Sequence, residues 1–311
     1  MANTAAPGFS PLSISDITSN GSSLNSSFKN AITGVTVTRT MQQASQLSIQ
    51  LTDPNRTLLN SSGLIGPGHL VEIPDGFGNY LQFAFKRFSK SSDMLEFTFE
   101  SRVINDLRTS INIIGASDIT DAGAFVQSIC ASRGIPFVGP VNNPYIQPTV
   151  FSVGTGTTSN PEEDAWTAIF RIASTLGWRC WESAGTIFFG PDEYWYNQLY
   201  AFATPPVNGY YGHSVPNLAE FTEEIQLMDV DWDIGTPFGD ITITCMSHFW
   251  QYNPGEVVNI TGLGPANGGW LVSGMQRNFT NPTGTITCTM PMPAYQTLNP
   301  PTLPIVGGRI L

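Results

Sequence analysis

Asp229, Asp231 and Asp233, followed by Asp240, put carboxylates at positions one, three, five and twelve of one stretch. That is the spacing by which a helix-flanked calcium loop gathers its oxygen ligands. The match fails where such a loop is least tolerant. The obligatory glycine stands one position late at Gly235, Pro237 lies inside the stretch, and the twelfth residue is aspartate where a bidentate glutamate is required. If the segment is a strand, the three aspartates simply share one face. A second chemistry, glycoside hydrolysis, needs two carboxylates about 5 to 10 Å apart across a cleft. Asp192, Glu193, Glu223 and Glu224 are the candidates, and adjacent acids of this kind are ordinarily solvated.

The three histidines offer little more. His69 follows Gly68 in a turn, His213 lies in an irregular loop, and His248 alternates with Met246 and Trp250 as a half-buried strand residue does. Cys130, Cys180, Cys245 and Cys288 are far apart with no Cys-x-x-Cys, so they read as small buried hydrophobes and not as a zinc set. His-Glu-x-x-His, Gly-x-Ser-x-Gly and a phosphate loop are all absent. Tyr194, Trp195, Tyr210 and Tyr211 could stack on sugars or form a subunit interface. No catalytic, cofactor-binding or metal-binding residue is assigned, and the chain is not read as an enzyme.

The elements that must carry these residues follow from composition and period. The 311 residues are only 12% charged and carry a formal charge of −11, with three lysines, Lys29, Lys86 and Lys90, in all. No basic stripe can neutralise phosphates, which speaks against sequence-specific nucleic-acid binding. An acidic wall still suits a conduit, because it repels a polyanion without holding it. Asn-x-Ser/Thr matches at Asn20, Asn25, Asn55, Asn60, Asn259 and Asn278 follow from an Asn- and Ser-rich composition, and none is read as glycosylated. No apolar run approaches the ~18 residues of a membrane span.

Residues 1–28 are poor in large apolar side chains and read as a flexible arm. Val35 and Val37, then Leu47, Ile49 and Leu51, then Leu81, Phe83 and Phe85, then Leu95, Phe97 and Phe99 keep period two, which with Leu70–Ile73 gives five strands in residues 29–110. An α/β insert follows over 111–200. It opens with a helix from Asp121 to Ser132, ended by Gly134, and continues with a helix capped by Asn160, with Pro161 and Glu163 in its first turn. Trp166, Ile169, Ala173 and Leu176 share a face of that helix, Gly177 closes it, and Trp178–Trp181 and Thr186–Phe189 form a hairpin around Glu182–Gly185. Five more strands, within 225–290, make a second β-unit over 201–292, and a Pro-rich tail occupies 293–311.

Three stretches in this order carry a resemblance: TRTMQQASQLSIQLTDPNRTLL, EEDAWTAIFRIASTLGWRCWESAGTIFFG and YNPGEVVNITGLGPANGGWLVSGMQRNFTNPTGTITCTMPMP. Together they resemble the baseplate hub proteins of tailed bacteriophages, also known as minor tail proteins, and the hubs of related contractile injection systems. The resemblance spans most of residues 30–292. It implies a mainly β chain with two tube-like β-barrel domains separated by a helix-plus-hairpin domain. It further implies a homotrimer whose six such domains ring a DNA channel and adapt a hexameric tail tube to a threefold spike or fibre. Implied partners are tail tube and distal tail proteins, spike or fibre proteins and the tape measure protein. The implied place is the virion, at the tail tip or baseplate, after assembly in the host cytoplasm. Larger hubs carry a lysozyme or peptidase domain that this sequence lacks, so wall cleavage by this chain is not expected. A glycan-binding module built on the Tyr194–Tyr211 loop, and less so a wall hydrolase, are the rival readings.

Overall fold

The computed structural model describes residues 13–41, 43–60, 65–74, 80–109, 118–119, 121–141, 151–152, 164–191, 194, 227–233, 240–246, 254–255, 257–260, 268–280 and 283–289. Strands β1 (Thr18–Ser19) and β2 (Ser22–Ser23), helix α1 (Ser26–Ala31), strands β3 (Ile32–Thr40) and β4 (Gln46–Thr52), helix α2 (Thr57–Asn60) and strands β5 (Leu70–Pro74), β6 (Tyr80–Ser91) and β7 (Met94–Ser101) come first. Next are α3 (Arg102–Thr109), β8 (Asp118–Ile119), α4 (Ala122–Ala131), β9 (Phe137–Val138), β10 (Phe151–Ser152), α5 (Ala165–Leu176), β11 (Arg179–Ser183) and β12 (Thr186–Gly190). The chain then returns to strands with β13 (Leu227–Asp233), β14 (Asp240–Met246), β15 (Val257–Ile260), β16 (Gly268–Asn278) and β17 (Thr283–Thr289). Among the described residues no helix is long and apolar enough to cross a membrane.

Two compact units result. One comprises Met1–Thr40, Ala44–Arg102 and His213–Pro291, the other Met41–Gln43, Val103–Gly212 and Met292–Leu311. In the first unit both sets of strands join one 12-stranded sheet, ordered β13-β14-β17-β16-β3-β4-β7-β6-β5-β1-β2, with β15 beside β16. Two separate β-barrel domains are not seen among the described residues: β3 and β16 pair directly, from Gly274↔Thr40 to Asn278↔Thr36, and join both sets in one sheet. Among the described residues neither set closes on itself. Alternation identifies a strand's faces but carries no label for its neighbour, so sequence alone left the two sets apart.

The period-two residues all point one way. Val35, Val37, Leu47, Ile49, Leu51, Val71, Ile73, Leu81, Phe83, Leu95, Phe97 and Phe99 form one core cluster, which Met275 of the second set joins. The Phe85 and Phe99 rings meet edge-on at 5.9 Å. The flexible-arm reading fails from Ser13 onward, because Ile17, Leu24 and Phe28 belong to the same core. Three apolar side chains suffice because local bonds order the chain between them. Ser13 and Asp16 form a capping box around the Ile14–Asp16 turn, and Glu72 accepts bonds from Thr18 Oγ1 at 2.8 Å and Gly21 N at 3.2 Å. The Asn25 side chain caps α1 by accepting from Phe28 N at 2.7 Å.

In the second unit, α4 runs as its sequence signals require, from the Asp121 cap to the left-handed Gly134. Gly123 is demanded by packing, since a Cβ there would lie 1.8 Å from the Pro140 carbonyl oxygen. Helix α5 starts later than the Asn160 signal: Asp164 is the cap, accepting from Thr167 N at 2.7 Å and Thr167 Oγ1 at 2.8 Å. A carboxylate that satisfies both an amide and a hydroxyl sets the start. Gly177, at φ 68°, ends the helix as expected. The β11–β12 hairpin turns through Ala184 and Gly185, both at positive φ, and Glu182 Oε1 accepts from Gly185 N at 2.7 Å. Trp181 and Phe188 stack across the pair at 4.9 Å and 7°.

Phe28→Ala removes a core ring from what a coreless arm would leave free. It is expected to lower the unfolding free energy by about 3–5 kcal/mol in urea titrations, whereas an arm would give no change.

Candidate functional site

Among the described residues, those singled out for chemistry do not converge. Asp229, Asp231 and Asp233 lie in β13 and Asp240 opens β14, so the calcium-like stretch is a hairpin with Asp231↔Thr242 and Asp233↔Asp240 in register. Among the described residues no three His, Cys, Asp or Glu side chains gather as a metal set. His69 is half-buried, its backbone N–H donating to Gly66 O at 3.1 Å and its Nδ1 without a partner among the described residues. His213, His248, Asp192, Glu193, Glu223, Glu224, Trp195, Tyr210 and Tyr211 lie outside the described residues. Tyr194 is half-buried, with its N–H on Pro191 O at 3.0 Å.

Cys130, Cys180 and Cys288 are buried free thiols. Burial pushes Cys130 up to about 12, opposed only in part by Arg133. Burial, with Cys130 nearby, raises Cys180 well above the usual thiol range, and burial raises Cys288. These thiols lack the thiolate character that nucleophiles need. An open cavity of about 330 Å³ lies at the C-terminal end of α5, between Phe170, Ala173, Ser174, Gly177, Trp178, Arg179 and Cys180. Phe170, 38% exposed, leans on Trp166 with ring centroids 6.1 Å apart.

The feature with the greatest extent is the outward face of the sheet. On four strands the residues one step out of phase with the core are mostly hydroxyls and amides: Thr36, Thr38 and Thr40 on β3, Gln46, Ser48 and Gln50 on β4, Thr242 and Thr244 on β14, and Thr285, Thr287 and Thr289 on β17. One row crosses eight strands through consecutive register partners, Ala84, Glu100, Gln46, Thr38, Gln276, Thr285, Thr244 and Asp229. At about 4.8 Å per strand the row is about 34 Å long.

Three acids of this face are engaged. Glu96 accepts from Ser48 Oγ at 2.8 Å, Asp240 from Thr289 Oγ1 at 2.9 Å, and Glu100 pairs with Lys86 at 3.0 Å. Strands β14, β17, β3 and β4 place no cation on this face, so their part of the row offers hydrogen bonds and no charge that could hold a phosphate. A signal for this face existed in the sequence. The same alternation that marks the core assigns Thr, Ser and Gln to the opposite side, and the sequence reading followed only the apolar half.

No family model matches the chain, and no curated protein matches it. Solved structures do match. The 43 kDa tail protein of prophage MuSo2 from Shewanella oneidensis superposes with a TM-score of 0.55 at 10% identity, over 88% of this chain and 96% of that one. A tail protein from Neisseria meningitidis gives 0.53 at 13% identity, over 88% and 96%. An Escherichia coli component of the type VI secretion system, described as structurally similar to the T4 bacteriophage tail proteins gp27 and gp5, gives 0.56 at 16% identity, over 89% and 77%. The chain shares the fold of phage tail proteins.

The described thiols are expected to stay unlabelled by iodoacetamide at pH 8 in the native protein and to react on unfolding, read by peptide mass spectrometry. The sign of the pH effect follows from the raised value. Above pH 9.0 an unfolded Cys130 loses its proton while the folded one keeps it up to about 12, so stability falls as pH rises through that window.

Proposed function

We propose that this chain is a non-enzymatic structural protein of a phage-type tail, a hub whose copies assemble as a trimer around a DNA channel at the tail tip or baseplate. The observation that carries the reading is the hydroxyl and amide face of β3, β4, β14 and β17, beside which Glu96, Asp240 and Glu100 are already bonded. A DNA conduit needs a wetted wall that neither grips phosphates through cations nor traps bases on exposed rings. Rows of threonine and glutamine meet both demands, and a formal charge of −11 adds long-range repulsion. The shared fold with tail proteins supports the same reading.

In this role the partners are the tail tube, distal tail, spike or fibre and tape measure proteins, and the protein resides in the virion after assembly in the host cytoplasm. The two strand sets supply the tube-like parts, and the helix-plus-hairpin unit supplies a surface for neighbouring tail components.

Lightly cross-linked full-length protein, imaged by negative-stain microscopy and averaged without imposed symmetry, is expected to show threefold rings with a central opening. A particle that stays monomeric even with its tail tube protein present overturns the proposal. The wild-type chain is also expected to leave duplex DNA unretarded in low-salt gels, while Thr36→Arg with Thr285→Arg gives retention that falls steeply with salt. Salt-dependent retention by the wild type would contradict an inert wall.

A further inference from the structure

The β1–β2 hairpin turns through Asn20 and Gly21 alone, since Ser19↔Ser22 is its last register pair. Both turn residues are exposed and both take positive φ, 48° at Asn20 and 73° at Gly21. That is the backbone a tight Asn-Gly hairpin loop adopts. An asparagine followed by glycine also carries a reactivity of its own. Glycine has no side chain to shield its nitrogen, so that nitrogen can attack the asparagine Cγ. The N–Cγ bond forms, the Cγ–Nδ2 bond breaks, and ammonia leaves with the proton of the glycine N–H. The cyclic succinimide so formed takes up water and opens to aspartate, or to isoaspartate, in which the main chain runs through the side-chain carbon. Water is the only co-reactant.

In the folded chain each reacting group is engaged elsewhere. Asn20 N donates to Leu70 O at 2.8 Å, and Asn20 Oδ1 accepts from Leu70 N at 2.8 Å. Main chain and side chain of Asn20 are thereby clasped to a single residue of β5. Gly21 N donates to Glu72 Oε2 at 3.2 Å. Attack requires this nitrogen to shed its proton, and a carboxylate seated on the N–H opposes the negative charge that would develop there. The left-handed backbone at Asn20 adds a steric bar, because it turns the next nitrogen to the side of Cα remote from Cβ. Glu72 itself is fixed by Thr18 Oγ1 at 2.8 Å and by Gln82 Nε2 at 2.9 Å, and Gln82 Oε1 in turn accepts from Arg102 Nη1 at 2.7 Å.

We propose that Asn20 is a latent self-modification site, kept as the amide while the hairpin is docked on β5 and converted to aspartate or isoaspartate once β1 and β2 come away. The conversion makes the release lasting. Isoaspartate lengthens the main chain within a two-residue turn, which the register pairs Ser19↔Ser22 and Thr18↔Ser23 cannot absorb. Either product also places a new carboxylate at a turn already bonded to Glu72, a like-charge arrangement. The segment at stake is the one that delivers Ile17 and Leu24 to the core.

Incubation of the full chain at mildly alkaline pH tests the site. Peptide mapping follows Asn20 by the mass gain of amide-to-acid conversion, apart from the Asn-Gly pairs at Asn208 and Asn267. Conversion in the native chain is expected to be at least about tenfold slower than in the urea-unfolded chain, because only the opened fraction of the hairpin reacts. Glu72→Ala, checked for folding by circular dichroism, is expected to raise the native rate about tenfold. Glu72→Gln, which keeps an acceptor oxygen and loses the charge, is expected to fall between the two and supplies the comparison if the alanine variant does not fold. The converted fraction, separated by ion exchange, is expected to exchange its amide hydrogens over residues 18–24 faster than the unconverted one. A native rate equal to the unfolded rate, or a folded Glu72 variant that reacts no faster than the wild type, overturns the latent site. Unchanged hydrogen exchange in the converted fraction overturns the release.

Discussion

The pairing of β3 with β16 is the constraint on which the rest of the first unit depends. It joins residues 36–40 to residues 274–278, near the two ends of the described chain, and Phe279 N adds a bond to Val35 O at 2.9 Å. Without it the sheet would fall into two sets of strands, each with an uncovered edge. Closing so long a loop costs entropy that grows only slowly with length, and the return is a continuous apolar face in which Met275 packs with Val35 and Val37. The same seam buries Arg39 opposite Met275 and Arg277 opposite Val37, and the Arg277 guanidinium lies 5.5 Å over the Phe279 ring. At Arg277 the charge is tolerable because the aliphatic stem packs while the cationic head finds a π face.

Local structure was legible wherever one residue type performs one local task. Gly177 at a left-handed helix end, Asp121 as a cap and the Ala184-Gly185 turn all stand where the sequence puts them. Strand positions were legible because burial on one face imposes period two. What sequence could not supply was partnership. Nothing in ITGVTVTRT says that its second neighbour is GGWLVSGMQRN. The start of α5 was misread because Asn160 and Asp164 are both competent caps, and only the Thr167 amide and hydroxyl decide between them. The N-terminal segment was misread because composition averages over residues, while Ile17, Leu24 and Phe28 act singly, each held by its own turn or cap.

The candidate surface was less legible for a different reason. Chemistry was sought in clusters of acids, histidines and cysteines, and those among the described residues turn out to be dispersed, buried or laid along a strand. A surface made of threonine, serine and glutamine has no motif, since its property is the lack of any strong local interaction. Of the candidate acids Asp240 lies on this face, and in the folded chain Thr289 occupies it, as Ser48 and Lys86 occupy Glu96 and Glu100. Only the register, followed strand by strand, turns scattered polar residues into a continuous wall.

A sheet with one apolar and one polar face also governs how such a chain can drift over generations. Inward residues need only remain apolar and of suitable volume, so valine, leucine, isoleucine and phenylalanine can trade places with compensating neighbours. Outward residues need only remain small, polar and uncharged, a still wider choice. Hydrogen bonds of the ladder come from the backbone and survive every such exchange. Two sequences can therefore differ at most of their side chains and specify the same sheet, as the shared fold at 10% identity with the Shewanella oneidensis prophage protein illustrates.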